Sequence, residues 1–136
     1  LKLSGDDIFY INEFNAVSGT TARDCISENN IICFLVSEGN LGKAIGKNGI
    51  NAKTLGTKLG KSIEIMEYAE DAETFLSKAL KAEKENVKIQ ETEGKKIAVI
   101  KLDPETKRKI ALHSGKMRRL KKLVERNYNI GDIKIR

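Results

Sequence analysis

The sequence predicts an α+β protein in which one six-element order, α-β-β-α-α-β, runs twice. Apolar residues recur at helical spacing in residues 6–18, 72–83 and 116–127. Short β-rich runs, 31–36 and 87–92 among them, lie between turn residues. An offset of about 65 superposes Ile45 on Ile110, Leu55 on Leu120 and Leu59 on Val124. The shared element order makes these coincidences a duplication, and the boundary falls between residues 70 and 71.

The first helix, 6–18, carries Ile8, Phe9, Ile11, Phe14 and Val17, opened by Ser4-Gly5-Asp6 and closed by Gly19. Arg23 to Ser27 is a short strand and Glu28-Asn29-Asn30 a turn. Ile31 to Val36 is apolar throughout, as a central strand is. Residues 41–59 form a helix, a turn and a helix, and Lys61 to Glu67 alternates as a strand. In the second half, Phe75, Leu76, Ala79 and Leu80 give 72–83 an apolar face. Val87 to Thr92 and Lys95 to Leu102 make a hairpin across Glu93-Gly94. Asp103-Pro104-Glu105 starts a short helix through Ala111. Lys116 to Asn127 is a longer helix with Met117, Leu120, Leu123 and Val124 on one face, and Ile133-Lys134-Ile135 closes as a strand.

With 40% hydrophobic and 32% charged residues the 136-residue chain reads as a globular, cytoplasmic protein. No apolar run approaches the ~20 residues of a membrane span, and Leu1-Lys2-Leu3-Ser4-Gly5 does not read as a secretory signal. Cys25 and Cys33 sit in the first hairpin, where they could face each other or serve as buried thiols. Two cysteines and one histidine do not make a tetrahedral zinc set, so no metal and no cofactor is expected. The net charge of +6 is unevenly placed. Residues 1–70 carry seven Lys/Arg and nine Asp/Glu, a net −2, whereas 71–136 carry 18 and 10, a net +8. Within these halves, 41–61 hold five lysines and no acid, and 107–126 reach +8. Such patches attract polyanions, although a charge run is also what a solvated helix face looks like.

The most informative stretch is Ile45-Gly46-Lys47-Asn48-Gly49-Ile50. Glycine has no Cβ to hold a ligand away from the backbone, and the helix that follows presents an electropositive N-terminus. The chemistry on offer is capture of a phosphate, not bond making. G-x-x-G alone is weak: with 11 glycines about one such spacing arises by chance. A second, Gly39-Asn40-Leu41-Gly42, suits an ordinary loop. Ile45 before the turn and Ile50, Ala52, Leu55 and Leu59 after it set Gly46–Gly49 apart, against the plainer reading of a capped helix end. A Walker loop fails because Leu41 stands at its first glycine and Asn48 at its Ser/Thr, and no G-x-G exists for a dinucleotide fingerprint. His113 has no nominated partner for acid–base work, and Asp103-Pro104-Glu105 reads as a helix start. No catalytic residue is assigned, and an enzyme is not expected.

On these residues the chain resembles a tandem of KH domains of type II topology, spanning 1–70 and 71–136. The direct joining of two such units resembles the archaeal NusA-like transcription termination factor family. The resemblance implies a groove for about four unpaired nucleotides, with the G-x-x-G loop on the backbone. Gly46, Lys47, Asn48 and Gly49 would then be the clamp, Ile45 and Ile50 its frame, and Lys43 and Lys53 its positive wall. The strand Ile31 to Val36 would supply part of an apolar floor. With 5% aromatic residues the chain lacks the stacking platforms of an RRM or OB reader. The second unit departs from the pattern at Ala111-Leu112-His113-Ser114-Gly115-Lys116, where neither register restores G-x-x-G. Two readings stay open there: an altered RNA contact charged by Lys116, Arg118, Arg119 and Lys122, or a structural unit with a solvated basic helix.

The expected function is binding of single-stranded RNA by a monomer, without membrane attachment. It would act on nascent transcripts with RNA polymerase as partner and affect elongation or termination. A ribosome-associated or ribosome-biogenesis protein and a protein-interaction scaffold are the alternatives.

Overall fold

The computed structural model describes residues 3–136, without the side chain of Ser114; Leu1 and Lys2, which open the segment weighed as a signal, lie outside them. The chain divides into two compact units, Leu1–Ala69 and Glu70–Arg136. The first runs α1 (Gly5–Ser18), β1 (Ala22–Glu28), β2 (Ile31–Val36), α2 (Leu41–Ile45), a 3₁₀ turn (Lys47–Gly49), α3 (Ile50–Leu59) and β3 (Ser62–Glu67). The second runs α4 (Ala72–Leu80), a 3₁₀ turn (Lys84–Asn86), β4 (Val87–Thr92), β5 (Lys95–Ile100), α5 (Pro104–Leu112), α6 (Ser114–Tyr128) and β6 (Asp132–Ile135). Each unit holds a three-stranded sheet, ordered β1-β2-β3 and β4-β5-β6. In both, the first pair is antiparallel and the second parallel. This α+β arrangement fits a KH-type domain.

In the first unit α1 starts on a capping box. The Asp7 amide donates to Ser4 Oγ at 3.1 Å, and Gly19 closes the helix at φ +72°. Phe14 of α1 stacks on Phe34 of β2, with ring centroids 4.4 Å apart. Around this pair pack Ala22, Cys25, Ile32, Val36, Ala44 and Leu55. Strand β2 is central, and Ile32 to Val36 are all fully buried, so both of its faces are apolar. Cys25 stands opposite Phe34, and Ile26 opposite Cys33. Strand alternation therefore sends the two sulfurs to opposite faces of the sheet. Both thiols are buried, and the possibility that they face each other across the hairpin is corrected by this register.

The second unit buries Phe75, Leu76, Leu80, Val87, Ala98, Ile100, Leu120, Leu123, Val124 and Ile133. Helix α4 ends at Leu80, three residues short of the expected 83. Lys81 turns left-handed at φ +54° and its amide donates to the Ser77 carbonyl. Strand β5 stops at Ile100. From there Asp103 caps α5, its Oδ1 accepting the Thr106 amide at 2.8 Å, with Pro104 in the first helical turn.

Candidate nucleic-acid interface

The loop between α2 and α3 is built from the backbone outward. Helix α2 is barely more than one turn, anchored by the fully buried Ala44. The Gly46 amide donates to the Gly42 carbonyl at 2.9 Å, and Gly46 itself adopts φ +79°, ψ 167°. That region is essentially restricted to glycine. A Cβ here would stand 2.8 Å from the Asn51 side chain and 2.9 Å from that of Ile50. Asn48 follows at φ +56°, ψ 26° and Gly49 at φ +75°, ψ 17°, both left-handed. The Gly49 amide donates to the Gly46 carbonyl at 3.0 Å, and the Ile50 amide to that of Lys47. Asn51, a residue the sequence did not nominate, ties the two helices together: its Nδ2 donates to the Lys43 carbonyl at 3.0 Å.

These bonds hold Lys47 and Asn48 on the outside of a tight turn, both exposed. No side chain caps the N-terminus of α3, so its first-turn amides keep their capacity to donate outward. Lys43 and Lys53 are both exposed; Lys53 Cε lies 3.9 Å from where a Gly49 Cβ would be, whereas Lys43 Cε lies 3.7 Å from where a Gly19 Cβ would be, at the end of α1. Ile45 is half-buried beneath the loop, whereas Ile50 is 54% exposed. The structure thus brings Lys43, Ile45, Gly46, Lys47, Asn48, Gly49, Ile50 and Lys53 into one neighbourhood. Lys58, counted with the loop's positive charge, forms an ion pair with Glu13 of α1.

Strand β2 does not offer the surface that the resemblance implied. It cannot line a groove, because Ile32 to Val36 are sealed within the core. Beside α3 runs β3, the edge strand, whose Ile63 and Ile65 are only partly buried against the core. An edge strand leaves one row of backbone groups unpaired by the sheet, and Ile63 lies against α3, its Cγ1 3.6 Å from where a Gly56 Cβ would stand. The half-apolar alternation of 62–67 was the available signal for Ile63 and Ile65.

In the second unit the corresponding connection has a different backbone. Among the described residues, positive φ occurs nowhere between Pro104 and Tyr128. His113, at φ −120°, ψ 60°, is the single residue between α5 and α6, and Gly115 lies within α6. The turn that forms the first loop is therefore absent from this connection, and Leu112 stands 76% exposed beside it. Of the four basic residues named for this helix, Arg118 and Lys122 are exposed one turn apart and Lys116 is half-buried. Arg119 is only 4% exposed. It stands next to Leu120 and one turn before Leu123, at the margin of the buried stripe, and this corrects its placement on an RNA-facing surface.

Among the described residues no group of three or more His, Cys, Asp or Glu could hold a metal ion. Among the same residues no helix is long and apolar enough to cross a membrane. No family model matches the chain. It is 30% identical to the "Probable transcription termination protein NusA" of Methanocaldococcus jannaschii, over 99% of this chain and 75% of that one. To the protein of the same name from Methanococcus vannielii it is 33% identical, over 85% of this chain and 68% of the relative. With that of Halococcus morrhuae it shares 31%, over 99% of this chain and 98% of the relative. Among solved structures, the crystal structure of APE1850 superposes with a TM-score of 0.83 at 33% identity, covering 98% of this chain and all of that one. The chain belongs to the archaeal NusA-like family, whose members bear the name of probable transcription termination proteins.

Proposed function

We propose that this protein is a tandem of two type II KH domains, residues 1–70 and 71–136, that binds single-stranded RNA without catalysing a reaction. It acts in the cytoplasm as a monomer on nascent transcripts, with RNA polymerase as partner, and affects elongation or termination. The family name supports the setting. The observation that carries RNA binding is the Gly46–Gly49 turn, where positive φ at Gly46, Asn48 and Gly49 exposes Lys47 and Asn48 ahead of an uncapped helix. A phosphodiester approaching this turn meets backbone donors, a lysine ammonium and an amide side chain, with no carboxylate in residues 41–61 to repel it. Ile50, Ile63 and Ile65 give the bases aliphatic contact. The second domain contributes charge through Lys116, Arg118 and Lys122 rather than a clamp of the same kind.

The test is fluorescence anisotropy with short unstructured RNAs, wild type beside Lys47→Asp/Asn48→Asp, at two salt concentrations. Both glycines stay, so the fold is kept while two negative charges enter the loop. The variant is expected to lose RNA binding by at least about tenfold, since each phosphate contact counts strongly at moderate salt. Equal binding by a folded variant would move the RNA surface to α6. Absence of binding by the wild type would leave a protein-contact role in the lead. Co-purification with RNA polymerase, as opposed to ribosomal particles, separates the transcription reading from a ribosomal one.

A further inference from the structure

The same topological position, where the last helix of a unit ends and its last strand begins, carries a cavity in both units. In the first, a shallow cavity of about 560 Å³ is lined by Asn30, Lys53, Gly56, Thr57, Lys61 and Ser62. Its counterpart in the second, also about 560 Å³, is lined by residues including Lys96, Glu125, Asn129, Gly131, Asp132 and Lys134. The two differ in charge. Carboxylates line the second, and Asp132 is already bridged to Lys121 at 3.3 Å. Lysines but no acid line the first.

From these observations we infer that the cavity at the far end of α3 is a second phosphodiester site. It holds the RNA strand beyond the nucleotides taken by the Gly46–Gly49 loop. The inference rests on the RNA-binding reading above and extends it to residues outside the loop. Its ground is continuity. Lys53 and Thr57 lie one turn apart on the same face of α3, between its two caps Gly49 and Gly60. Lys53 joins loop and cavity: its Cε lies 3.9 Å from where a Gly49 Cβ would be, and the residue also lines the cavity. A smaller recess lined by Lys53, Thr54, Thr57 and Lys58 shares Lys53 and Thr57 with this cavity. Helix α3 is about 15 Å long, at 1.5 Å per residue over its ten residues.

The far end is held for this purpose. Lys61 Nζ donates to the Asn29 carbonyl at 2.9 Å, which fixes the ammonium at the cavity rim without neutralising it. The Ser62 amide donates to the Asn30 carbonyl at 2.7 Å, so the hairpin turn and the start of β3 form one wall. Gly56 lets Lys61 fold back closely on α3: the Lys61 amide donates to the Gly56 carbonyl at 3.2 Å, and a Cβ on Gly56 would stand 3.1 Å from the Lys61 carbonyl oxygen. Thr57 and Ser62 offer hydroxyl donors on either side, both exposed. One fixed cation with flanking hydroxyls suits a single phosphate.

The experiment compares oligouridylates of about four and about eight nucleotides, the shorter matching the span of one KH groove, on the full chain. Variants are Lys61→Glu, Lys61→Arg and Thr57→Glu. The last adds a negative charge on an exposed helix position and leaves the Lys61–Asn29 bond alone. Lys61→Glu and Thr57→Glu are each expected to weaken the longer RNA about tenfold and the shorter by less than about twofold. Their salt slope for the longer RNA should fall by about 0.7, the share of one phosphate on a single strand. Lys61→Arg should bind both as wild type does. Equal weakening of both lengths, or no effect of Thr57→Glu on the longer, overturns the site while RNA binding by the loop stands. If the wild type binds neither RNA, the site and the reading it rests on fall together.

Discussion

Gly46 is the residue on which the loop geometry turns. Its φ and ψ exclude a side chain by backbone sterics, and its surroundings exclude one by contact with Asn51 and Ile50. Gly46→Ala is therefore expected to destabilise the fold by about 1–3 kcal/mol and to weaken RNA binding beyond what Lys47→Ala does. Urea denaturation followed by circular dichroism, with anisotropy on the folded fraction, checks both. A Gly46→Ala protein as stable as wild type would mean the turn tolerates another conformation. The G-x-x-G spacing was legible in the sequence, but its distinction from Gly39–Gly42 was a matter of context. The structure separates the two on φ. Gly46, Asn48 and Gly49 are all positive around one turn, whereas Gly42 sits inside α2. Arg119 shows the opposite case. Its charge placed it with Arg118 and Lys122, but on a helix a step of one residue is a rotation of about 100°, enough to carry it from the outer face to the buried margin.

At the scale of elements, helix starts were the most readable features because capping chemistry is local. Asp71 and Asp103 each cap a helix and are held below the usual carboxylate range. The backbone amide of Thr74 or Thr106 is the largest cause, followed by the same residue's hydroxyl. In the unfolded chain these groups take up protons at higher pH than in the fold. Their contribution to stability is thus complete above about pH 4 and drains away below it. Asparagine caps as well but does not titrate there. Asp71→Asn/Asp103→Asn should therefore lose less stability than wild type between about pH 5 and about pH 3, by urea midpoints. A parallel decline in the two proteins would count against this origin. The end of α4 was less readable, because Lys81 stops the helix in a left-handed conformation that its residue type does not announce.

For the whole molecule the charge arithmetic, −2 in the first 70 residues and +8 in the rest, understates what the fold arranges. Lys58 pairs with Glu13, while Lys47 in the loop and Lys53 beside it stay exposed in an otherwise acidic half. Binding of an RNA confined to one groove should show a slope of log affinity against log salt between about −2 and −3, for roughly four phosphates at about −0.7 each. A slope near zero would point to apolar contact instead, and titration at constant pH over a range of potassium chloride decides between them.

By itself the sequence determined the α+β class, the repeated element order, the central strand and the candidate loop. These depend on spacing, caps and turn residues, which act between near neighbours along the chain. Tertiary structure alone decided that Cys25 and Cys33 point to opposite faces, that β2 is sealed while edge strand β3 is open, and that Arg119 is withdrawn. It also decided that the connection between α5 and α6 carries no left-handed turn. Each of these follows from strand register, sheet order or helix rotation, through which residues far apart in sequence compete for the same side of one core.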